Sequence, residues 1–522
     1  MAWTADFIDA LGARSRAPVF TLERVQLYDE PGVPVTVASH AGYGTDSGTG
    51  PYLRIVRVDT QGATLSPRGW TSTIGSFSVT LAGKMAYLFA RVVRGTVLQL
   101  KMGFAGWPEA DFQIIGLGQV RNVRGRPPEY TLECLDAFSA LRQRVTNDLT
   151  STKLFDATGT ATTSAAAYAV GDTSLTMTST SNFKRQTSGI GAVRVTPSSG
   201  AAPFYLTYTG TATGPIRLTG VSATGKFGTT ATAAASGSTV EEVAYLYGHP
   251  LDLARKVLTS RGSGTNGAYD LLPTMWGMGV LYDLIDHDDI DAWKEVVKVS
   301  SGTYSWDVLV EEAQEDAFGW LESLLSPAGL FLTMRQGLLT IRAGQNSHGA
   351  SAGVLYRDSG ISIADDEIAE VNDWEAWDGG HSPEYARTYV QGYGVTSAGT
   401  LSATAATLPA GSFLYYDLRD RVYSNVSASN VEVLNRLDES ARNVPERLVL
   451  SCAGLRLAQL APGDLVSVTT GLCPSRWYGT FEATQAIVDE VSPAWTDGRV
   501  NVSLLIYPDG DGVYPSADRM FP

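Results

Sequence analysis

The feature that most constrains this chain is a period-two alternation of apolar and polar residues. It recurs near both ends and gives way to other patterns between them. Near the start it runs through Val19 to Leu27, Leu53 to Val58, Ser76 to Leu81, Val97 to Phe104, Asp111 to Val120 and Tyr130 to Cys134. Near the end it returns in Arg447 to Cys452, Leu465 to Val468, Phe481 to Val491 and Arg499 to Ile506. Half-buried strands at short spacing, with Gly and Pro between them, favour small barrels or sandwiches. A chain of 522 residues has room for about three or four domains.

The middle differs in composition. From about 150 to 243, Thr, Ser, Ala and Gly dominate, yet short alternations survive at Asp172 to Thr178, Ala192 to Val195, Phe204 to Tyr208 and Ile216 to Val221. Threonine favours strands through its branched Cβ. A small inserted β domain is therefore expected, against a floppy linker as the alternative. From 244 to 345 helical spacing enters. His249 to Leu258 opens with Pro250 near the first helical position. Asp283 to Val297 is a second helix candidate. Trp306 to Leu325 is a third, with Val308, Ala313, Phe318, Leu321 and Leu325 as its core positions. Leu330 to Arg342 reads as a hairpin turning at Gln336-Gly337. Asp136 to Arg144 and Val426 to Val444 read as further helices, and Ala386 to Tyr393 as a strand. The expected fold class is α+β, predominantly β. Its units are a first β domain (1–149), an inserted small β domain (150–243), a mixed α/β region (244–445) and a second β module with a tail (446–522).

The charge balance is 39 basic against 54 acidic residues, a net −15. Such a surface repels a phosphate backbone, which argues against a dedicated nucleic-acid reader and suits a wall that DNA slides past. No apolar run reaches the length of a bilayer span, and the first residues lack the basic and apolar regions of a signal peptide. Cys134, Cys452 and Cys473 share no short spacing, so small hydrophobes in strands are expected, although Cys452 and Cys473 could meet in one terminal domain.

Chemistry-bearing motifs are sparse. The five histidines, His40, His249, His287, His348 and His381, fit no H-E-x-x-H frame. There is no phosphate loop and no nucleophile elbow, and Gly116-Leu117-Gly118 lacks the third glycine of a dinucleotide site. The densest polar cluster is Asp283, Asp286, His287, Asp288, Asp289 and Asp291. It could hold calcium, or it could be the acidic first turn of a helix. Glu311, Glu312, Glu315 and Asp316 are glycosidase candidates by residue type alone, against a solvated helix face. Tyr168, Phe204, Tyr205 and Tyr208 of the insert could stack on sugars, or form its core. No catalytic, cofactor-binding or metal-binding residue is singled out.

The order of these pieces resembles the baseplate hub, or tail-tip hub, of long-tailed bacteriophages and gene transfer agents. Three stretches carry the likeness. Trp70 to Leu81 with the strands to Cys134 is similar to a first hub barrel. His249 to Leu258, with Trp320 to Leu325 and the hairpin to Arg342, is similar to the hub's middle part. Leu460 to Val468 with the strands to Ile506 is similar to a second barrel. The insert is similar to small β modules of tail proteins, through Val170 to Thr176, Tyr208-Thr209-Gly210, Leu218 to Val221 and Ala235 to Val240. Some hubs hold an iron–sulfur cluster, but these cysteines lack a local ligand pattern, so no cofactor is carried over. The resemblance implies a structural virion protein without enzymatic activity, synthesised in the host cytoplasm and built into the distal end of the tail. It implies a homotrimer whose paired barrels give six near-equivalent units, matching a sixfold tail tube to a threefold tip. The implied partners are a distal tail protein, a tape measure protein and a central fibre or spike, with the insert free to touch a host surface glycan. DNA would pass an acidic lumen without specific binding. A tail-associated glycan hydrolase and a receptor-binding adhesin are the rival expectations.

Overall fold

A computed structural model of the chain describes residues 3–13, 17–25, 35–40, 54–60, 64–66, 71–73, 75–83, 96–126, 128–136, 162–180, 189–226, 229–259, 282–296, 306–310, 316–325, 330–343, 358–375, 387–392, 399–402, 413–418, 446–475 and 479–506, with residues 43, 94, 183, 278 and 280. The architecture is predominantly β, with a few short helices, as the alternation requires.

The first part opens with helix α1 (Ala5–Gly12), whose N-terminus the Thr4 side chain caps. Strands β1 (Pro18–Val25), β2 (Val35–Ala38) and β3 (Arg54–Thr60) follow, then a small hairpin of β4 (Thr64–Ser66) and β5 (Thr71–Thr73). Next come β6 (Phe77–Ala82), β7 (Val97–Phe104), β8 (Gln113–Arg126) and β9 (Glu129–Asp136). Seven of these form an antiparallel sheet in the order β2-β1-β7-β8-β9-β6-β3. Its rim strands β2 and β3 approach each other, but no ladder joins them among the described residues. Among the described residues the sheet does not close into a barrel, and the pairing of β2 to β1 is broken by a bulge after Leu22.

The insert contains β10 (Thr162–Thr163), β11 (Ser174–Thr176), β12 (Gly191–Thr196), β13 (Phe204–Tyr208), β14 (Gly210–Thr213), β15 (Ile216–Thr219) and the long β16 (Thr239–Gly248). It has a core of its own, built around Tyr168, Val193, Val195, Phe204, Leu206, Tyr208 and Leu218. Strand β16 changes partner along its length. Its first half pairs with β12 up to Val243, and its second half, from Ala244, pairs with β17 (Trp306–Val310).

The middle region adds α2 (Pro250–Thr259), α3 (His287–Val296), β17, α4 (Ala317–Leu325) and the hairpin of β18 (Leu330–Arg335) and β19 (Leu338–Ala343). The single helix expected over Trp306 to Leu325 is not formed. Residues 306–310 are a strand, and Ala317–Leu325 is helical. Val308 fits the helical stripe, but Trp306, Val308 and Val310 also alternate, and the free edge of β16 provides a ladder for them. Helix α4 starts where Asp316 accepts the Gly319 N–H at 3.0 Å. The turn at Gln336-Gly337 is as expected, with φ of 50° and 75° at its two residues. Of the helix expected over Asp136 to Arg144, Asp136 ends strand β9 and residues 137–144 lie outside the described residues, as does the helix expected over Val426 to Val444.

The last part begins with β20 (Asp358–Ala364) and β21 (Ile368–Glu375). A separate small sheet of β22 (Arg387–Gly392), β23 (Gly399–Ser402) and β24 (Phe413–Leu418) follows. Then come β25 (Glu446–Ala453), β26 (Leu465–Ser475), β27 (Gly479–Ala494) and β28 (Arg499–Ile506). The terminal sheet runs β20-β26-β27-β28-β25-β21, so it draws strands from well before residue 446. It also takes in the β4–β5 hairpin from the other end of the chain, through the pairing of Glu490 with Thr64. The two terminal sheets share one hydrophobic core, to which Leu22, Val79, Leu100 and Leu132 contribute from one side and Leu450, Val468, Val488 and Val502 from the other.

Candidate functional site

The place where distant parts of the sequence converge is the seam between the terminal sheets. Trp3 sits in it, just before α1, and its environment explains why. Its backbone N–H donates to Gln336 Oε1 at 2.8 Å, its indole N–H donates to the Ile114 carbonyl at 2.7 Å, and its ring meets Trp495 edge-on at 6.2 Å. One buried residue thereby touches the first sheet, the β18–β19 turn and the last sheet. An indole suits this position because it offers a large apolar body and one polar tip. Beside it, Val58 N–H donates to Thr496 Oγ1 at 3.2 Å and the Thr60 hydroxyl donates to the Pro493 carbonyl at 2.8 Å. The cleft left here is lined by Trp3, Thr60, Phe77, Gln336, Pro493 and Trp495 among others and has a volume of about 90 Å³. That holds a few waters, well below the several hundred Å³ of a typical small-molecule site.

A second convergence lies under α3. The Arg342 guanidinium is fully buried. Its Nε donates to Asp289 Oδ2 at 2.9 Å, and its Nη1 donates to Asp464 Oδ1 at 2.9 Å and to the Pro462 carbonyl at 3.0 Å. Burial pulls the guanidinium toward its neutral form, but Asp464 and Asp289 outweigh it and hold the group firmly charged. Thr340 donates to Asp289 at 2.8 Å, and Arg335 donates to Asp286 at 3.0 Å. Asp286 also caps α3 by accepting the Asp289 N–H at 3.1 Å. Asp464 in turn accepts the Ala461 N–H at 2.8 Å, closing the Ala-Pro-Gly-Asp turn.

The acidic cluster around residues 283–291 is therefore split. Asp286 and Asp289 face arginines from β18 and β19, and Asp291 meets Arg255 at 2.9 Å. No group of three or more metal-ligating side chains occurs among the described residues. His287 stacks on Tyr282 with ring centroids 3.6 Å apart, and its Nε2 lies 3.1 Å from the Tyr282 carbonyl. Burial lowers its pKa most, opposed by that hydrogen bond. Of the glycosidase candidates, Asp316 is the α4 cap, while Glu311, Glu312 and Glu315 lie outside the described residues.

The four insert aromatics are buried, Tyr168, Phe204 and Tyr208 in the insert's core and Tyr205 on the other face of the sheet against Ala192, Val243 and Tyr245. Tyr168, Phe204, Tyr205 and Tyr208 are at most 9% exposed, and the Tyr208 hydroxyl donates to the buried Glu242 at 2.6 Å. The cysteines are free. Burial pushes the Cys134 and Cys452 thiols up to about 12, which keeps them protonated and unreactive.

Sequence reasoning missed Trp3, Trp495 and Arg342. Only Arg342 left a trace, as a charged residue in the otherwise uncharged strand Leu338 to Ala343, all of which is buried.

No family model matches the chain, and no curated protein matches it. Among solved structures, it is similar to a tail protein from Neisseria meningitidis MC58, with 12% identity, a TM-score of 0.41, and 97% of this chain and 100% of that one covered. It is also similar to the 43 kDa tail protein of prophage MuSo2 from Shewanella oneidensis, with 9% identity, a TM-score of 0.35, and 97% and 100% covered. A chain of the virion of a native gene transfer agent particle aligns with 16% identity and a TM-score of 0.22, over 46% of this chain and 84% of that one.

Proposed function

We propose that this chain is a structural component of a phage-tail-type virion, forming a ring-shaped hub at the distal end of the tail. The observation that carries this reading is the shared core. A seven-stranded antiparallel sheet and a mixed sheet from later in the sequence are packed around one core, so a single subunit presents two joined wall segments. Three copies then supply six segments, which would let a threefold object cap a sixfold tube. The order of sequence elements that resembles hub proteins agrees with this.

The seam has the chemistry of a weld. The charged groups under α3 are paired with each other, and the cleft at the seam is too small for a substrate. The net charge of −15 suits a channel wall past which DNA moves without sticking. Neighbours in such a particle would be a distal tail protein, a tape measure protein and a central fibre or spike. With Tyr168, Phe204, Tyr205 and Tyr208 buried, the insert would contribute a largely polar β surface facing outward.

Electron cryo-microscopy of the particle that contains the chain tests the reading. The expected result is threefold density at the tail tip, two sheet modules per subunit around an open channel, and an acidic lining. A lone subunit, or a channel lined by basic residues, would overturn it. Clearing of a cell-wall suspension by the purified protein would favour the hydrolase instead.

A further inference from the structure

Helix α3 packs on β19 and covers the joint between the β18–β19 hairpin and the last sheet. The charges in that joint are divided unevenly. Arg342 of the hairpin pairs with Asp464 of the turn before β26 at 2.9 Å, and it donates to the Pro462 carbonyl of the same turn at 3.0 Å. The helix side adds Asp286 and Asp289, and the hairpin adds Arg335. With the helix seated, two arginines therefore meet three carboxylates. With the helix lifted, Arg342 and Asp464 stay together as a neutral, hydrogen-bonded pair, while Asp286, Asp289 and the half-buried Arg335 reach water. Removing one partner of a buried pair is what costs most. Lifting α3 strands no buried charge, whereas parting the hairpin from the turn leaves Asp464 without a counter-charge.

A second observation points the same way. Trp293 of α3 is fully buried, 5.9 Å from the Arg342 guanidinium, yet its indole N–H has no hydrogen-bond partner. A buried donor without an acceptor carries a desolvation cost that hydration returns once the helix lifts. The attachment of α3 also has a fixed end and a loose one. At its start, Ile285 bridges Leu339 of β19, and the Asp286 N–H donates to the Leu339 carbonyl at 2.8 Å. Farther along, ion pairs with α2 hold it, Asp291 with Arg255 at 2.9 Å and Lys294 with Asp252 at 2.6 Å. Asp291 is exposed and the others are partly so, and such pairs are weak and screened by salt. Burial of Ile290 and Trp293 supplies the remaining hold.

We propose that α3 is a hinged cover, which swings about the Ile285–Leu339 bridge and opens the middle region while the hairpin stays joined to the last sheet. Opening uncovers the apolar side of α3 and gives water access to the Arg342–Asp464 pair. The middle region thereby loosens in a step of its own, ahead of any separation at the seam. This goes beyond the hub reading and does not depend on it.

Native-state hydrogen exchange of the full chain, read by mass spectrometry at increasing urea, tests it. The α3 amides should exchange about tenfold or more faster than those of β19 and β26, and with a weaker urea dependence, because a partial opening exposes less surface than unfolding. Raising salt from about 50 to 300 mM should speed exchange in α3 and leave β19 and β26 unchanged. Asp289→Asn, checked for folding by circular dichroism, should speed the α3 amides about tenfold and spare β26. Asp464→Asn should instead speed β19, β26 and α3 together. Equal protection and equal urea dependence in α3, β19 and β26 would overturn the proposal. So would an Asp289→Asn effect that spreads to β26. The urea series on the wild type decides by itself if the variants do not fold.

Discussion

At the scale of the residue, burial of charge is the strongest statement this molecule makes. Arg342 lies where no water can reach it, and removing it strands Asp289 and Asp464. Arg342→Met should lower stability by about 3–5 kcal/mol, read as a shift of the urea midpoint. Adding Asp289→Asn and Asp464→Asn should return a large part of it. A triple variant as unstable as the single one would show that the loss was one of packing. Lysine should rescue poorly, since it lacks the planar fork that reaches two carboxylates at once. His287 offers a pH test. Its pKa in the folded chain lies below the unfolded value of about 6.5, chiefly through burial. Between those two values the unfolded chain binds more protons, so stability rises with pH there. The contribution is complete above about pH 6.5 and is lost as the pH falls through the folded value. From about pH 7.5 to 5.5 the melting temperature of the wild type should fall further than that of His287→Gln. Parallel curves would mean that the imidazole titrates as it does in water.

At the scale of the element, the β18–β19 hairpin shows what position demands of a turn. Gly337 has a φ of 75°, and a Cβ there would sit 2.8 Å from the Ile114 carbonyl oxygen of β8. Gly106 has a φ of 90° and open space around it. Gly106→Ala should cost only the conformational strain of about 1–2 kcal/mol. Gly337→Ala should cost clearly more, because the hairpin must also back away from β8. Equal shifts in denaturant midpoint would contradict the close approach. This hairpin, α2 and the strands with strict alternation were legible in the sequence, because each is fixed by local periodicity and turn chemistry. The β17 segment was not. Its short alternating run was hidden inside a longer helical stripe, and its partner β16 lies about sixty residues earlier. Strands β20 and β21 were missed for a related reason, since their ladders go to β26 and β25, far along the chain. Of the seam, the Ala-Pro-Gly-Asp turn was visible, but nothing local to it announced Arg342 or Trp3 as its neighbours.

At the scale of the whole molecule, cores define what moves together. The terminal sheets share one and the insert has another, so they should respond separately in native-state hydrogen exchange. Phe204→Ala, at a cost of about 3–5 kcal/mol, should strip protection from β12 to β16 and leave the amides of Leu132 and Leu450 protected. Leu450→Ala should weaken protection in both terminal sheets together. Protection lost only in the sheet that holds Leu450 would show that the two are merely neighbours. The β4–β5 hairpin, made early and seated against Glu490, carries one last consequence. Its berth is a strand from a distant part of the sequence, so the hairpin has nothing to seat against until that sheet has formed, and in refolding its amides should gain protection late.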